Sequence, residues 1–252
     1  MTLPLRLFLG LVAVEVASMA VYAARGARRD QDVQNKDAHF VGGWGDFVLH
    51  WFMWSISPFV TASVRLGLTP DFYNYAGLAL GLLSGVLIAA GQFEWGGWAI
   101  IAGGLADVLD GRIARLTGVA SDYGDFIDST FDRFVEAFIF LGFAAYLRAT
   151  PYGAILAGSA LAASFLVSYA RARGEILHVV CSGGLMQRGE RLLLTCLACF
   201  ADRAIGASRG WPLGTVAQGA LAFLALTSFV TAVQRTIWIA RRLRVAAGAA
   251  AH

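Results

Sequence analysis

Residues 72–92 read FYNYAGLALGLLSGVLIAAGQ, a run without a single charge. About 20 apolar residues in a helix cross the hydrocarbon core of a bilayer. Gly77, Gly81 and Gly85 recur every fourth position of this run. That spacing lines one helical face with small residues and lets a second backbone approach closely in lipid. The stripe predicts a helix contact inside a bundle or between subunits.

Similar runs continue downstream. Further spans are predicted at about 95–116, 124–147, 152–171, 192–207 and 213–236. The short breaks between them include Gln92-Phe93-Glu94, 148–151 and Arg209-Gly210-Trp211-Pro212. The pattern predicts an all-α polytopic membrane bundle with six transmembrane helices. Composition agrees: 58% of the 252 residues are apolar, 15% are charged, and the mean hydropathy is +0.62. Soluble domains average about 45–50% apolar and about 25% charged. Disorder, fibrous repeats and disulfide scaffolds are excluded, and a soluble enzyme is strongly disfavoured.

Upstream, residues 47–66 mix aromatics with isolated charges around Pro58, which suits an interfacial, juxtamembrane helix. Residues 25–46 are polar, from Arg25 to Gly42-Gly43, and read as a solvated linker. Leu7 to Tyr22 imitates a secretory signal, but Glu15 interrupts it and one early basic residue precedes it. A retained membrane or interfacial helix is the expectation. The chain therefore divides into an N-terminal extension at 1–45 and a membrane domain at 46–244.

Nineteen of the 20 basic residues are Arg, and Lys36 is the exception. With 25–71 on the cytoplasmic side, alternate loops place all but Arg148, Arg203 and Arg209 of the loop arginines there too. That asymmetry follows the positive-inside rule and puts the C-terminus inside. Cys181, Cys196 and Cys199 form no complete disulfide framework and no zinc set, and read as small buried side chains. His39, His50, His178 and His252 have no metal-ligand spacing. No nucleic-acid module occurs, and no nucleic-acid partner is expected.

Nine charged residues gather in 107–133, DVLDGRIARLTGVASDYGDFIDSTFDR. Charges at or within spans are costly and mark function. Asp107 and Asp110 are three apart, Asp128 and Asp132 four apart, and both spacings put a pair on one helical face. Four carboxylates brought together by adjacent helices need cations. Hard divalent ions want oxygen ligands, and the absence of His and Cys favours Mg²⁺ or Mn²⁺ over zinc or copper. Two such ions could orient a phosphoryl reaction. Gly111 and Gly124 leave room for a phosphate or a backbone. A cation or solute transporter is the competing reading, but a one-sided carboxylate cluster among arginines fits phosphate chemistry better.

The fixed residues Asp107, Asp110, Gly111, Ala114, Arg115, Gly124, Asp128 and Asp132 closely resemble the motif of the CDP-alcohol phosphotransferase family: Asp, two residues, Asp-Gly, two residues, Ala-Arg, eight residues, Gly, three residues, Asp, three residues, Asp. The resemblance covers roughly 66–236. It implies a six-span membrane enzyme of phospholipid synthesis that moves a phosphatidyl-type group from a CDP-linked lipid to a small alcohol and releases CMP. Residue by residue, it implies that Asp107, Asp110, Asp128 and Asp132 hold two divalent ions. Asp132 would also take the acceptor's proton, with Asp128 beside it in catalysis. Gly111, Ala114, Arg115 and Gly124 would lie against the CDP moiety. Asp71 and Asn74 replace the family's usual Asn and Thr after Pro70 and would keep a nucleotide contact. A homodimer is implied, in a bacterial or archaeal cell membrane with the site facing the cytoplasm.

A second polar cluster, 168–175 (SYARARGE) and 184–192 (GLMQRGERL), is similar to segments in members that use inositol phosphate. Arg171, Arg173, Arg188 and Arg191 are its candidate acceptor-phosphate ligands, since guanidinium forks suit phosphate. Inositol 1-phosphate is the leading acceptor. Glycerol 3-phosphate, serine and free inositol are the alternatives.

Overall fold

The computed structural model describes residues 1–27, 44–181 and 183–249. The polar stretch 28–43, with Lys36 and His39, and His252 lie outside the described residues. Among those described, eight α-helices follow one another: α1 Leu3–Ala24, α2 Trp44–Arg65, α3 Pro70–Ala89, α4 Phe93–Thr117, α5 Asp122–Tyr146, α6 Gly153–Ile176, α7 Arg188–Arg209 and α8 Thr215–Ala249.

Local chemistry sets their ends. Thr69 Oγ1 accepts the Phe72 N–H at 3.3 Å, and Pro70 occupies the first helical position of α3. Gly91, at φ +76°, ends that helix, and Gly118, at φ +71°, ends α4. Ser121 Oγ accepts the Gly124 N–H at 3.3 Å and caps α5. Gln187 and Glu190 form a capping box on α7, which stops at left-handed Gly210. The α8 N-terminus is capped from outside its own helix. Fully buried Asp202 accepts the Gly214 and Ala217 N–H groups, both at 2.7 Å.

Each of the six expected spans is a helix, α3 to α8. Five of the described helices are long and apolar enough to cross a membrane: α1, α2, α3, α6 and α8. The expectation of six such spans is replaced by a bundle with multiple apolar spans, because α4, α5 and α7 carry too many charges to qualify by composition. The segment expected to lie at the interface, 47–66, is α2, long and apolar enough to span.

The chain forms two compact units. The first comprises Met1–Tyr73 and Asp107–Asp125. Within it α1 and α2 run antiparallel. Trp51 Nε1 donates to Ser18 Oγ at 2.8 Å, and Ser55 Oγ donates to Glu15 Oε2 at 3.4 Å. Tyr22 is buried against the rings of Phe47 and Trp54. Glu15, which breaks the apolar run in the sequence, is thus a hydrogen-bonding partner between helices. Arg112, also in this unit, is buried and donates to the Met53 carbonyl at 2.7 Å.

The second unit comprises Asn74–Ala106 and Phe126–His252. The glycine stripe of α3 is a contact within the chain. A Cβ on Gly81 would lie 2.6 Å from Val135 Cγ2, and Gly85 and Gly142 meet backbone to backbone. The three cysteines are free and buried, as small apolar side chains would be. Here α6 and α8 pack side by side and parallel. Arg235 Nη1 on α8 donates to Val167 O on α6 at 3.2 Å, and seven residues further on Gly174 faces Ile239.

Candidate active site

The α4 segment supplies Asp107, Asp110, Gly111, Ala114 and Arg115. Asp110 is 4% exposed, while Arg115 is exposed. A Cβ on Gly111 would meet Arg115 Nη1 at 3.3 Å, so this glycine leaves the guanidinium its place one turn away. Gly124 lies in the capped first turn of α5. Asp71 is exposed in the first turn of α3, and Asn74 on the same helix is buried.

On α5, Asp128 and Asp132 share a face, as their spacing predicts. Asp107, Asp128 and Asp132 each offer one carboxylate oxygen to a group whose members lie within 4.8 Å of one another. Asp110 is not a member of that group. Like charges at such a separation repel by roughly 3–4 kcal/mol per pair at an effective dielectric of about 20. An all-oxygen, three-carboxylate set suits a hard divalent cation, which would remove that repulsion. The residues present therefore fit the metal that the sequence implied.

The arginines divide. Arg188 Nη2 pairs with Asp132 Oδ1 at 2.5 Å. Arg191 and Glu136 are both about 1% exposed. Arg191 Nε and Nη2 donate to Glu136 Oε1 at 2.8 and 2.6 Å, and Nη1 donates to the Met186 carbonyl at 3.3 Å. Glu136 is one turn beyond Asp132, and Arg191 is three residues beyond Arg188, so the two pairs form successive rungs between α5 and α7. Arg171 is exposed and bonded to Glu175 at 2.8 Å, its neighbour one turn on. Arg173 is exposed and lines a groove between α6 and α8.

Sequence reasoning missed two residues. Glu136 lies just outside the charged segment 107–133, and its partner is 55 residues away. Arg235 was counted only among the inside-positive set, yet it is 4% exposed. Its Nε donates to the Gly183 carbonyl at 2.9 Å and its Nη1 to the Val167 carbonyl at 3.2 Å. A lone Arg twenty residues into an apolar helix was the available signal.

Residues 68–247 match the family described as CDP-alcohol phosphatidyltransferase. The phosphatidylinositol phosphate synthase of Streptomyces avermitilis is 34% identical over 193 residues, 74% of this chain and 78% of its own. That of Cutibacterium acnes is 32% identical over 210 residues, 81% of this chain and 97% of its own. The phosphatidylinositol phosphate synthase of Mycobacterium tuberculosis has been solved with manganese and citrate and with CDP-DAG bound. Both structures superpose with TM-score 0.63 at 27% identity over 72% of this chain, covering 88% and 92% of theirs. Relatives also occur in archaea. On its family match, its apolar helices and its carboxylate group, the chain belongs to the CDP-alcohol phosphatidyltransferase family and is a divalent-metal-dependent integral membrane enzyme of phospholipid synthesis.

Proposed function

We propose that the protein transfers the phosphatidyl group of a CDP-linked lipid to the hydroxyl of a phosphorylated polyol, inositol 1-phosphate first among them, and releases CMP. The carboxylate group Asp107–Asp128–Asp132, with a guanidinium on Asp132, is the observation that carries the reading. Acidic side chains suited to a metal-bound pyrophosphate, next to a cation suited to a second, phosphate-bearing substrate, support this reading. The names of the bacterial relatives point to the same acceptor.

Asp107, Asp128 and Asp132 hold the divalent ions in this reading, with Asp110 completing the set for two. Bound there, the ions supply charge neutralisation to the pyrophosphate and to the leaving CMP. Gly111, Ala114, Arg115 and Gly124 seat the CDP moiety, and Asp71 and Asn74 contact the nucleotide. The acceptor hydroxyl oxygen forms its bond to the phosphatidyl phosphorus as the bond from that phosphorus to the CMP oxygen breaks. Asp132 takes the hydroxyl proton, Asp128 supports it, and Arg188 orients Asp132 until the acceptor arrives.

Arg188, Arg171 and Arg235 are the acceptor-phosphate ligands we assign. Arg191, enclosed by Glu136, acts through α7 as a positioning residue. Six helices, α3 to α8, cross the bilayer in this reading, with the charged ends of α4, α5 and α7 at the cytoplasmic face. The membrane domain at 46–244 works as a homodimer, and 1–45 is an anchoring extension.

The test is CMP release from CDP-diacylglycerol with inositol 1-phosphate, glycerol 3-phosphate, serine or inositol as acceptor. Inositol 1-phosphate should give at least a tenfold higher kcat/KM than the others. Equal or higher turnover with an unphosphorylated acceptor refutes the assignment.

A further inference from the structure

Between α6 and α8, on the second unit, lies a groove of about 610 Å³. Its walls are almost wholly apolar. Leu166 and Tyr169 come from α6, Leu177 follows its last turn, and Phe229, Val233 and Ile237 come from α8. Its floor is tight, because at Gly174 an added Cβ would sit 2.8 Å from both Ile239 Cδ1 and Val179 O. The α8 residues that line it run from Phe229 to Leu243. Fourteen helical steps at 1.5 Å span about 21 Å. That exceeds the roughly 15 Å of one leaflet's hydrocarbon, half of a 30 Å core.

One end of this groove is basic. Because α6 and α8 are parallel, Arg173 near the end of α6 stands at the level where Arg241, Arg242 and Arg244 follow on α8. All four are exposed. None of the four pairs with a carboxylate among the described residues. Arg242 instead lies over the Trp238 ring, 5.1 Å from its centroid. An apolar channel of leaflet length that opens at uncompensated guanidiniums has the pattern of a diacyl lipid with an anionic headgroup. A second copy of the chain would bring the same cations to the same end, which disfavours it as the occupant.

We propose that this groove seats one non-reacting anionic phospholipid, its acyl chain along α8 between Phe229 and Leu243 and its phosphate on Arg173. The site is separate from the carboxylate group and stands whether or not the acceptor assignment above holds. It also gives Arg173 a role that the acceptor does not need.

The test uses the full chain in nanodiscs of equal phosphatidylglycerol and phosphatidylcholine, with retained lipid counted by native mass spectrometry after release. Wild type should hold one phosphatidylglycerol per chain, with at least a tenfold preference over phosphatidylcholine. Val233→Trp and Ala240→Trp, at two exposed positions that line the groove, should each lower retention about tenfold while CMP release stays within twofold. Arg173→Gln should abolish the headgroup preference but keep a lipid. Equal retention of the two lipids by wild type overturns the proposal, as does undiminished retention in both tryptophan variants. Displacement of the lipid by millimolar glycerol 3-phosphate would show a free-phosphate site and overturn it. Loss of CMP release in step with lipid retention would make the groove the donor's own seat, and a change of oligomeric mass in the tryptophan variants would make it a subunit interface. Either result also overturns it.

Discussion

Replacing Arg191 by methionine isolates the deeper of the two rungs between α5 and α7. The change removes both nitrogens that face Glu136 Oε1, at 2.8 and 2.6 Å, from a carboxylate that is 1% exposed. Glu136 Oε2 already has no hydrogen-bond partner among the described residues, so no neighbour is placed to compensate. Removing one partner of a buried pair costs about 3–5 kcal/mol, because the other charge stays desolvated. At roughly 2–4 °C per kcal/mol for a chain of this size, the melting temperature should fall by roughly 6–20 °C. The double variant Glu136→Met/Arg191→Met replaces the pair with apolar side chains of similar volume and should return to within about 1 kcal/mol of wild type. The three free, buried cysteines provide the assay, since a thiol-reactive dye labels them only as the fold opens. A single variant that melts within 2 °C of wild type would refute the reasoning, on roughly the scale of 1 kcal/mol. A double variant as unstable as the single one would refute it too.

Three further outcomes are expected. Asp107→Asn should keep the fold and lower CMP release by on the order of 10³-fold, with chelation abolishing wild-type turnover and added Mg²⁺ or Mn²⁺ restoring it; an active Asp107→Asn enzyme would remove this residue from the metal set. Asp202→Ala strips the cap from α8 and leaves the Gly214 and Ala217 N–H groups unpaired, a loss of about 2–4 kcal/mol readable by the same dye. Gly85→Leu drives a side chain into the Phe138 backbone and should cost at least about 2 kcal/mol, whereas Gly104→Ala, where a Cβ meets nothing within 4 Å, should be tolerated.

Helix existence was legible wherever apolar runs approached the length of a bilayer span, and so were the boundaries marked by Pro70 and Gly210. The pairing of Asp107 with Asp110 and of Asp128 with Asp132 was legible because a helix turns neighbours three and four apart onto one face. Contacts between helices carry no such spacing. Nothing in the neighbourhood of Glu136 announces Arg191, and nothing near Glu15 announces Ser55, because each partner belongs to another helix. The four arginines of 171–191 looked equivalent in the sequence. Helical rotation separates them into a partner of Asp132, a partner of Glu136, a partner of Glu175 and a groove-lining side chain.

The two rungs also bear on why an ion pair stands where an apolar one would be more stable. A buried guanidinium–carboxylate pair gains little over well-packed hydrocarbon, so stability alone does not account for Arg191 and Glu136. What the pair adds is direction: two nitrogens on one oxygen fix the rotation of α7 against α5, and one turn away the same two helices present Arg188 to Asp132. Hydrocarbon side chains would hold the helices together without fixing that rotation. Stability and turnover should therefore separate in the Glu136→Met/Arg191→Met enzyme. Its melting temperature should recover, while its kcat falls roughly tenfold to a hundredfold, the scale of loss expected when reacting groups are misplaced by about 1 Å. If turnover recovers together with stability, the rung is only packing, and the alignment of Asp132 rests on Arg188 and on the adjacent Arg133, whose Nη1 lies 3.5 Å from Asp132 Oδ2.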